Sequence, residues 1–437
     1  MNTVKIIGGG LAGCEAAWQA ANRGVKVKLY EMKPTHFSPA HENPGLCELV
    51  CSNSLKGVGL DNACGLLKEE MRRMNSLLIS CADQTRVPAG GALAVDREKF
   101  SRMVTEKITS HENIEVINEL VTFVDPDEYT IIATGPLTHG ALCDSIASLT
   151  GKEYLSFYDA AAPVIETESI DFDRVYKSAR YGKGTADYIN CPMDKDEYLA
   201  FYTELINAEK APLHSDIDKP NVFEGCMPVE IMASRGEDTL RFGPLKPKGL
   251  PDPKTGREPY AVVQLRQDNT EGTMFNMVGF QTNLKFGEQK RVFSMIPGLE
   301  NANFLRLGVM HRNTYINSPE VLKATFGMIK YPKVYFAGQI TGVEGYVESA
   351  ASGLMAGINI AKAIKGEEEI VLPTSTVTGA LSNYITVGAV KGRFQPMNAN
   401  FGIIEHHVGR IKNKKERYLA IAEEALCSLE EALKSAE

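Results

Sequence analysis

Apolar positions divide the chain into short segments of two kinds. Val4, Ile6 and Ile7 predict a strand, residues 11–23 a helix closed by Gly24, and 25–30 a second strand stopping at Glu31. Residues 129–135 (YTIIATG) read as a buried strand that could return the chain beside this opening unit. A further strand at 334–337 meets Gly338, and the helix after it carries the small residues Ala350, Gly353, Ala356 and Gly357. Small residues on one helical face permit close approach to a sheet or a ligand. The middle of the chain is mixed. Residues 166–173 and 181–190 read as possible short strands. Residues 194–208 read as a helix, with Tyr198, Phe201, Tyr202 and Leu205 at i, i+3, i+4 and i+7, most simply a core stripe. Residues 418–436 read as a terminal amphipathic helix.

The loops between these elements carry the first chemistry. Gly8, Gly10 and Gly13 have the G-x-G-x-x-G spacing between the first strand and helix. Gly8 allows the tight turn, Gly10 lets a pyrophosphate approach the backbone, and Gly13 lets the helix pack near the strand. The phosphates then sit on the free N–H groups of the helix N-terminus. Glu31, about 20 residues past the turn, is placed to accept hydrogen bonds from a ribose. The Gly-rich loop after 337 leads into a helix whose N-terminus would face an electron-rich flavin edge or a phosphate. Together residues 129–135 and 333–361 lean toward FAD. The expected cofactor residues are Gly8, Gly9, Gly10, Leu11, Ala12, Gly13, Glu31, Gly135, Gly338 and Gly342. The predicted fold is α/β: a discontinuous Rossmann-like FAD-binding domain, 1–155 with a return over 300–437, around an inserted α+β domain at 156–299.

Composition narrows the setting. The 437 residues are 43% hydrophobic and 23% charged, as expected of a soluble globular protein of two or three units. No apolar run approaches a membrane span, and the first strand starts too early for a secretory signal. Nine cysteines without a C-x-x-C pair argue for reduced thiols in a cytoplasm. No Cys/His spacing suggests a metal. The formal net charge of −8 gives no global reason to expect nucleic acid, so such a partner needs a local basic surface. Residues 244–259, punctuated by five prolines, supply Lys246, Lys248, Lys254 and Arg257 as RNA candidates. Lys412, Lys414, Lys415 and Arg417 form a second run after His406 and His407. Either run is usually just a solvated face.

Longer strings then carry a resemblance. GGGLAGCEAAWQ (8–19), LVCSNSLK (49–56), VPAGGALAVDR (87–97), EGCMPVEIMASRGEDTLRFGPLKP (224–247), MHRNTYINSP (310–319) and GQITGVEGYVESAASG (338–353) occur in that order. In these strings the chain resembles the folate- and FAD-dependent tRNA uracil-5-methyltransferases (TrmFO, once called Gid) over essentially its whole length. The resemblance implies C5-methylation of a T-loop uridine in tRNA. It implies FAD, 5,10-methylenetetrahydrofolate as methyl donor, and NADH or NADPH as reductant. A sister family of larger flavoproteins, acting on wobble uridines, shares the two FAD segments but lacks Gly225-Cys226-Met227-Pro228. That family, a small-molecule FAD-dependent oxidoreductase and an RNA-binding flavoprotein without turnover are the alternatives.

Such a reaction asks for a particular thiol. Uracil C5 is a poor nucleophile until a group adds at C6, and a thiolate adds there and leaves again. A reduced flavin can then supply the hydride that completes the methyl group. Cys14 reads as core, and Cys64, Cys81, Cys143 and Cys427 sit in apolar or helical settings where buried thiols are usual. Cys191 stands beside a turn-forming proline. Cys226 and Cys51 remain, and the residues alone leave both open. The resemblance implies Cys226 as the uracil nucleophile and Cys51 as a second active-site thiol near the flavin. Cys47 and Cys51, four apart, could share a helical face. The resemblance also makes His311 a folate candidate. Tyr346 could lie over the isoalloxazine, and Glu344 or Glu348 could transfer a proton, although surface charges at a helix start explain the glutamates as well. Nothing in the sequence gives the oligomeric state.

Overall fold

Val4 and Ile6 are fully buried in the strand Thr3–Ile7, which forms the centre of a parallel sheet. The computed structural model describes residues 3–38, 40–151, 155–212, 227–388 and 394–436. The sheet runs in the order Val334–Phe336, Thr130–Ile132, Thr3–Ile7, Lys26–Glu31, Ile114–Asn118. The chain leaves the central strand toward Lys26–Glu31 on one side and comes back at Thr130–Ile132 on the other. That reversal opens a crevice at the carboxyl end of Thr3–Ile7, the place where such sheets bind ligands.

The helix Leu11–Ala21 and the long helix Tyr346–Lys365 lie against each other with almost no side chain between them. A Cβ on Gly353 would stand 2.1 Å from the Ala12 carbonyl oxygen, and one on Gly357 2.5 Å from that of Ala16. Gly353 and Gly357 of the return helix therefore give their open side to the first helix. Gly13 has the predicted part: its Cβ would meet the Gly8 carbonyl at 1.8 Å.

A six-stranded antiparallel sheet joins Tyr176–Ser178, Tyr188–Met193, Ala261–Gln267, Met274–Met277, Val164–Glu166 and Phe304–Arg306. The helix Lys195–Asn207 covers it. Asp194 and Glu197 form a capping box at its start, and Tyr198, Phe201 and Leu205 are fully buried in a second core. The short strands were expected at 166–173 and 181–190. They are displaced, because 167–169 turns as a 3-10 helix and Tyr181 adopts φ +59 in a turn. The C-terminal helix spans Lys414–Ala436 and buries Ile421, Ala422, Ala425 and Leu429. No helix among the described residues is long and apolar enough to cross a membrane.

Candidate active site

The crevice at the sheet reversal is a groove of about 1440 Å³, partly open to solvent. Its floor at one end is the turn Gly8–Gly10 and the start of the first helix, Leu11 and Ala12. Gly8 takes φ +106, and a side chain there would strike the Ala133 carbonyl at 2.5 Å. Gly10, the helix N-cap, offers no capping side chain, and the first turn has no acid. The helix N-terminus is thus left with exposed donors, and a Cβ on Gly10 would meet no protein atom within 4 Å. This is a cradle for an anion, as a pyrophosphate requires. Glu31 lies beside it, its carboxylate accepting from Gly9 N–H at 2.7 Å and Lys33 N–H at 3.0 Å. Gly135 (φ +70) and Gly338 (φ +84) line the same groove.

Gly342 does not reach it. With φ +89, it gives its free side to Phe394, whose ring would lie 2.4 Å from an added Cβ. Gly13 sits beneath the turn, packed on Gly8.

The groove also has walls that, Cys47 apart, the sequence reading passed over. Lys33, His41, Cys47 and Glu48 close the Glu31 end. Lys33 donates to the carbonyls of Asn43 (2.9 Å) and Gly45 and pairs with Glu48 at 3.5 Å. Burial pulls the His41 pKa down against the pull of Glu48. Their only sequence signal is position, in the irregular segment that follows the acid ending the second strand. Thr134, Thr138, Asn313, Gln339 and Ser349 add polar groups further along.

Cys51 and Tyr346 meet at the other part of the lining. The Cys51 N–H donates to the Tyr346 hydroxyl at 2.8 Å, and its Sγ lies 3.0 Å from the same oxygen. Burial, and then Cys51, push the Tyr346 pKa well above that of a free phenol. The loop before Cys51 is held by Arg97, which donates to the carbonyls of Leu49 (2.7 Å) and Val50 (3.0 Å). The loop after it is held by Arg266, which donates to Ser52 Oγ (2.8 Å) and Asn53 Oδ1 (3.0 Å). Arg266 belongs to the antiparallel sheet and Tyr346 to the return helix, so elements remote in sequence converge on one thiol.

Several expectations are corrected. Cys47 and Cys51 share no helix: Cys47 adopts φ +53, and its N–H donates to the Gly9 carbonyl. Cys191 lies in the strand Tyr188–Met193 opposite Val263, not at a turn, and burial drives its thiol pKa up. Cys427 is exposed, because the C-terminal helix turns other residues inward. Cys14, Cys64 and Cys81 are buried as expected, with burial raising Cys64 to about 12 and Cys81 to about 11. Glu344 and Glu348 are not surface charges. Glu344 is buried and accepts from Gln339 at 2.7 Å. Glu348, fully buried, accepts from Lys56 (2.8 Å) and the Ala399 N–H (3.0 Å).

Cys226 lies outside the described residues. His311 sits on the strand Met310–Tyr315, paired with Leu155–Ala160. Lys246, Lys248, Lys254 and Arg257 are exposed but line no part of the groove. Lys248 pairs with Glu258 at 3.4 Å, and Lys254 donates to the Asp173 carbonyl. No cluster that could hold a metal occurs among the described residues.

Comparison with known proteins agrees with this fold. The family model described as glucose inhibited division protein A matches residues 3–368. The solved GidA of Aquifex aeolicus superposes with a TM-score of 0.69 at 17% identity, over 99% of this chain and 75% of that one, a likeness of fold. The methylenetetrahydrofolate–tRNA-(uracil-5-)-methyltransferase TrmFO of Acetivibrio thermocellus is 62% identical over 428 residues, 98% of each chain. That of Pelotomaculum thermopropionicum is 58% identical over the same share. With a family model covering most of it and such relatives matching nearly end to end, the chain belongs to the GidA family and, within it, to TrmFO.

Proposed function

We propose that this protein methylates C5 of a T-loop uridine in tRNA. The one-carbon unit would come from 5,10-methylenetetrahydrofolate, with FAD as cofactor and NADH or NADPH as reductant. The observation that carries the reading is one groove lined both by an uncapped glycine-turn helix N-terminus beside Glu31 and by the Cys51–Tyr346 contact. A dinucleotide needs the first feature and thiol chemistry needs the second.

Gly8, Gly9, Gly10, Leu11 and Ala12 would hold the pyrophosphate, Glu31 the ribose, and Gly135 and Gly338 the walls. Bound and reduced, FAD supplies the hydride that turns a methylene into a methyl group. Cys226 would add its thiolate to uracil C6 and leave by elimination once C5 has taken the carbon and lost its proton. Cys51 would be the second thiol. The Tyr346 hydroxyl already accepts from the Cys51 amide, so its own proton is free to bond the sulfur and favour the thiolate. Glu344, buried behind Gln339, would orient that groove residue or take up a proton. His311 is proposed at the folate and the loop 244–259 at RNA. In domain terms the reading divides the chain into 1–155 and 300–437 around 156–299, with tRNA entering between the units. It places the enzyme in the cytoplasm.

The test is direct. Purified protein is given methylenetetrahydrofolate, NADPH and unmodified tRNA, and the digested tRNA is searched for 5-methyluridine by mass spectrometry. Product from wild type, and from neither Cys226→Ala nor Cys51→Ala, is expected. Absence of product from flavin-loaded wild type overturns the methyltransferase reading in favour of a small-molecule oxidoreductase.

A further inference from the structure

The first turn of the C-terminal helix carries cations against the helix dipole. Lys414, Lys415 and Arg417 crowd the positive N-terminal end of Lys414–Ala436 around the lone acid Glu416, whereas the last turn carries Lys434, as the dipole favours. Helix stability favours acids, not cations, in a first turn. Asn413 caps the first amides, accepting from Lys415 N–H at 3.0 Å, so the strain is in the side-chain charges alone. Arg410 and Lys412 just upstream bring the cations to five over 405–418, against Glu405 and Glu416, in a chain of net charge −8. All but Arg417 are exposed, and neither Arg410 nor Lys412 has an ion-pair partner among the described residues. A merely solvated face gains nothing from this arrangement.

The cluster is also held in place and tied to the groove. Tyr418 stacks on Phe401 with centroids 4.1 Å apart, and Lys414 and Arg417 stand over the Tyr418 ring at 5.4 and 5.5 Å. Two residues before Phe401, the Ala399 N–H donates to Glu348, in the first turn of the helix that brings Tyr346 to Cys51. Met397 exchanges backbone hydrogen bonds with Gly342 and Glu344 in the same region. Lys415 reaches Asp61 at 3.8 Å, beside the Asn62 cap of the helix Ala63–Arg73, whose Cys64 thiol faces Glu348. Lys414 and Arg417 thus stand on an aromatic support a few contacts from the thiol.

We propose that residues 405–418 form a phosphate-binding surface for tRNA, gripping the backbone of the arm next to the uridine being modified. The proposal rests on the tRNA reading above. It adds a second backbone contact to that proposed for the loop 244–259, of which Lys248 and Lys254 are engaged within the protein. Lysine and arginine facing phosphates release counterions, so each contact appears in the salt dependence of binding.

The experiment titrates full-length, flavin-loaded enzyme with unmodified tRNA across a series of potassium chloride concentrations. Lys412→Gln/Lys414→Gln is expected to bind about tenfold more weakly at moderate salt and to reduce the log–log salt slope by about 2. Its melting temperature should hold or rise, because the helix sheds unfavourable charge, and its flavin spectrum should persist. Lys412→Arg/Lys414→Arg should restore the slope. Unchanged slope and affinity in the glutamine variant, with wild type binding tRNA normally, overturn this surface and leave the methyltransferase reading intact. Failure of wild type to bind tRNA overturns both.

Discussion

Gly10→Ala separates capture of the cofactor from folding. The new methyl group meets no protein atom within 4 Å, and φ −78 at this position suits any L residue. Two small backbone effects then oppose each other. Alanine is a poorer N-cap than glycine by about 0.5–1 kcal/mol. It also restricts the unfolded chain, returning about 0.4–1 kcal/mol. The apoprotein should therefore melt close to wild type. The methyl group does, however, occupy the open space over the helix N-terminus. Losing one charge-assisted hydrogen bond to a phosphate costs about 1.5–3 kcal/mol, or roughly 10- to 100-fold in Kd. Flavin content of the purified variant and FAD titration of the stripped protein measure this, with apoprotein melting as control. Gly9→Ala is the contrast: its Cβ would strike Leu46 at 2.6 Å and the Glu31 carboxylate at 2.8 Å, so folding should fall together with binding. Wild-type FAD affinity in Gly10→Ala would refute the assignment of this turn to the pyrophosphate.

Other substitutions probe the supports. Gly353→Val forces a side chain against the Ala12 backbone, where even a Cβ lies 2.1 Å from the carbonyl oxygen. It should lower stability by at least about 1–3 kcal/mol in thermal or denaturant melts, whether or not flavin is added. Tyr346→Phe keeps the ring and removes the hydroxyl beside Cys51. Iodoacetamide should then alkylate Cys51 more slowly and 5-methyluridine formation should drop, with FAD still bound; unchanged alkylation would remove the hydroxyl from thiol activation. Glu70 is fully buried, accepts from the Val377 and Thr378 N–H groups, and burial raises it from 4.5 to about 7. Its folded pKa exceeds its unfolded one, so its contribution is full below the unfolded value and is lost as pH rises through about 7. Urea midpoints at about pH 5 and about pH 8 should show that loss in wild type and less of it in Glu70→Gln.

What the sequence made legible was whatever depends on neighbours along the chain. The opening strand–turn–helix–strand, the fingerprint glycines and Glu31 sit within about thirty residues, and local periodicity and turn chemistry suffice to read them. The aromatic stripe of Lys195–Asn207 was legible for the same reason. Gly353 and Gly357 were visible as small, but what they approach, the backbone of Ala12 and Ala16, is more than three hundred residues away. The glutamates failed differently. Glu344 and Glu348 carry the composition of a surface, and partners such as Gln339, Lys56 and the Ala399 amide make their burial tolerable. A sequence shows the charge but not the partners that let it be buried.

The same dependence on remote partners explains how Cys51 can lie on an irregular loop and still be placed accurately. Residues 46–53 contain no regular element, so their backbone groups must find partners elsewhere. They find them in Arg97 at the start of one helix and in the Tyr346 hydroxyl on the return helix, while Arg266 and the Gln267 carbonyl on the antiparallel sheet bond the side chains of Ser52 and Asn53. No single segment can hold the thiol, and its position is defined only once the antiparallel sheet and the return helix have both docked. Arg266 is almost fully buried, so removing its guanidinium would leave Asn53 Oδ1 without its donor and loosen the Cys51 loop from more than two hundred residues away. An irregular loop held in this way keeps the exposure that a reacting sulfur needs, which a thiol within a strand or helix, such as Cys191 or Cys14, gives up entirely.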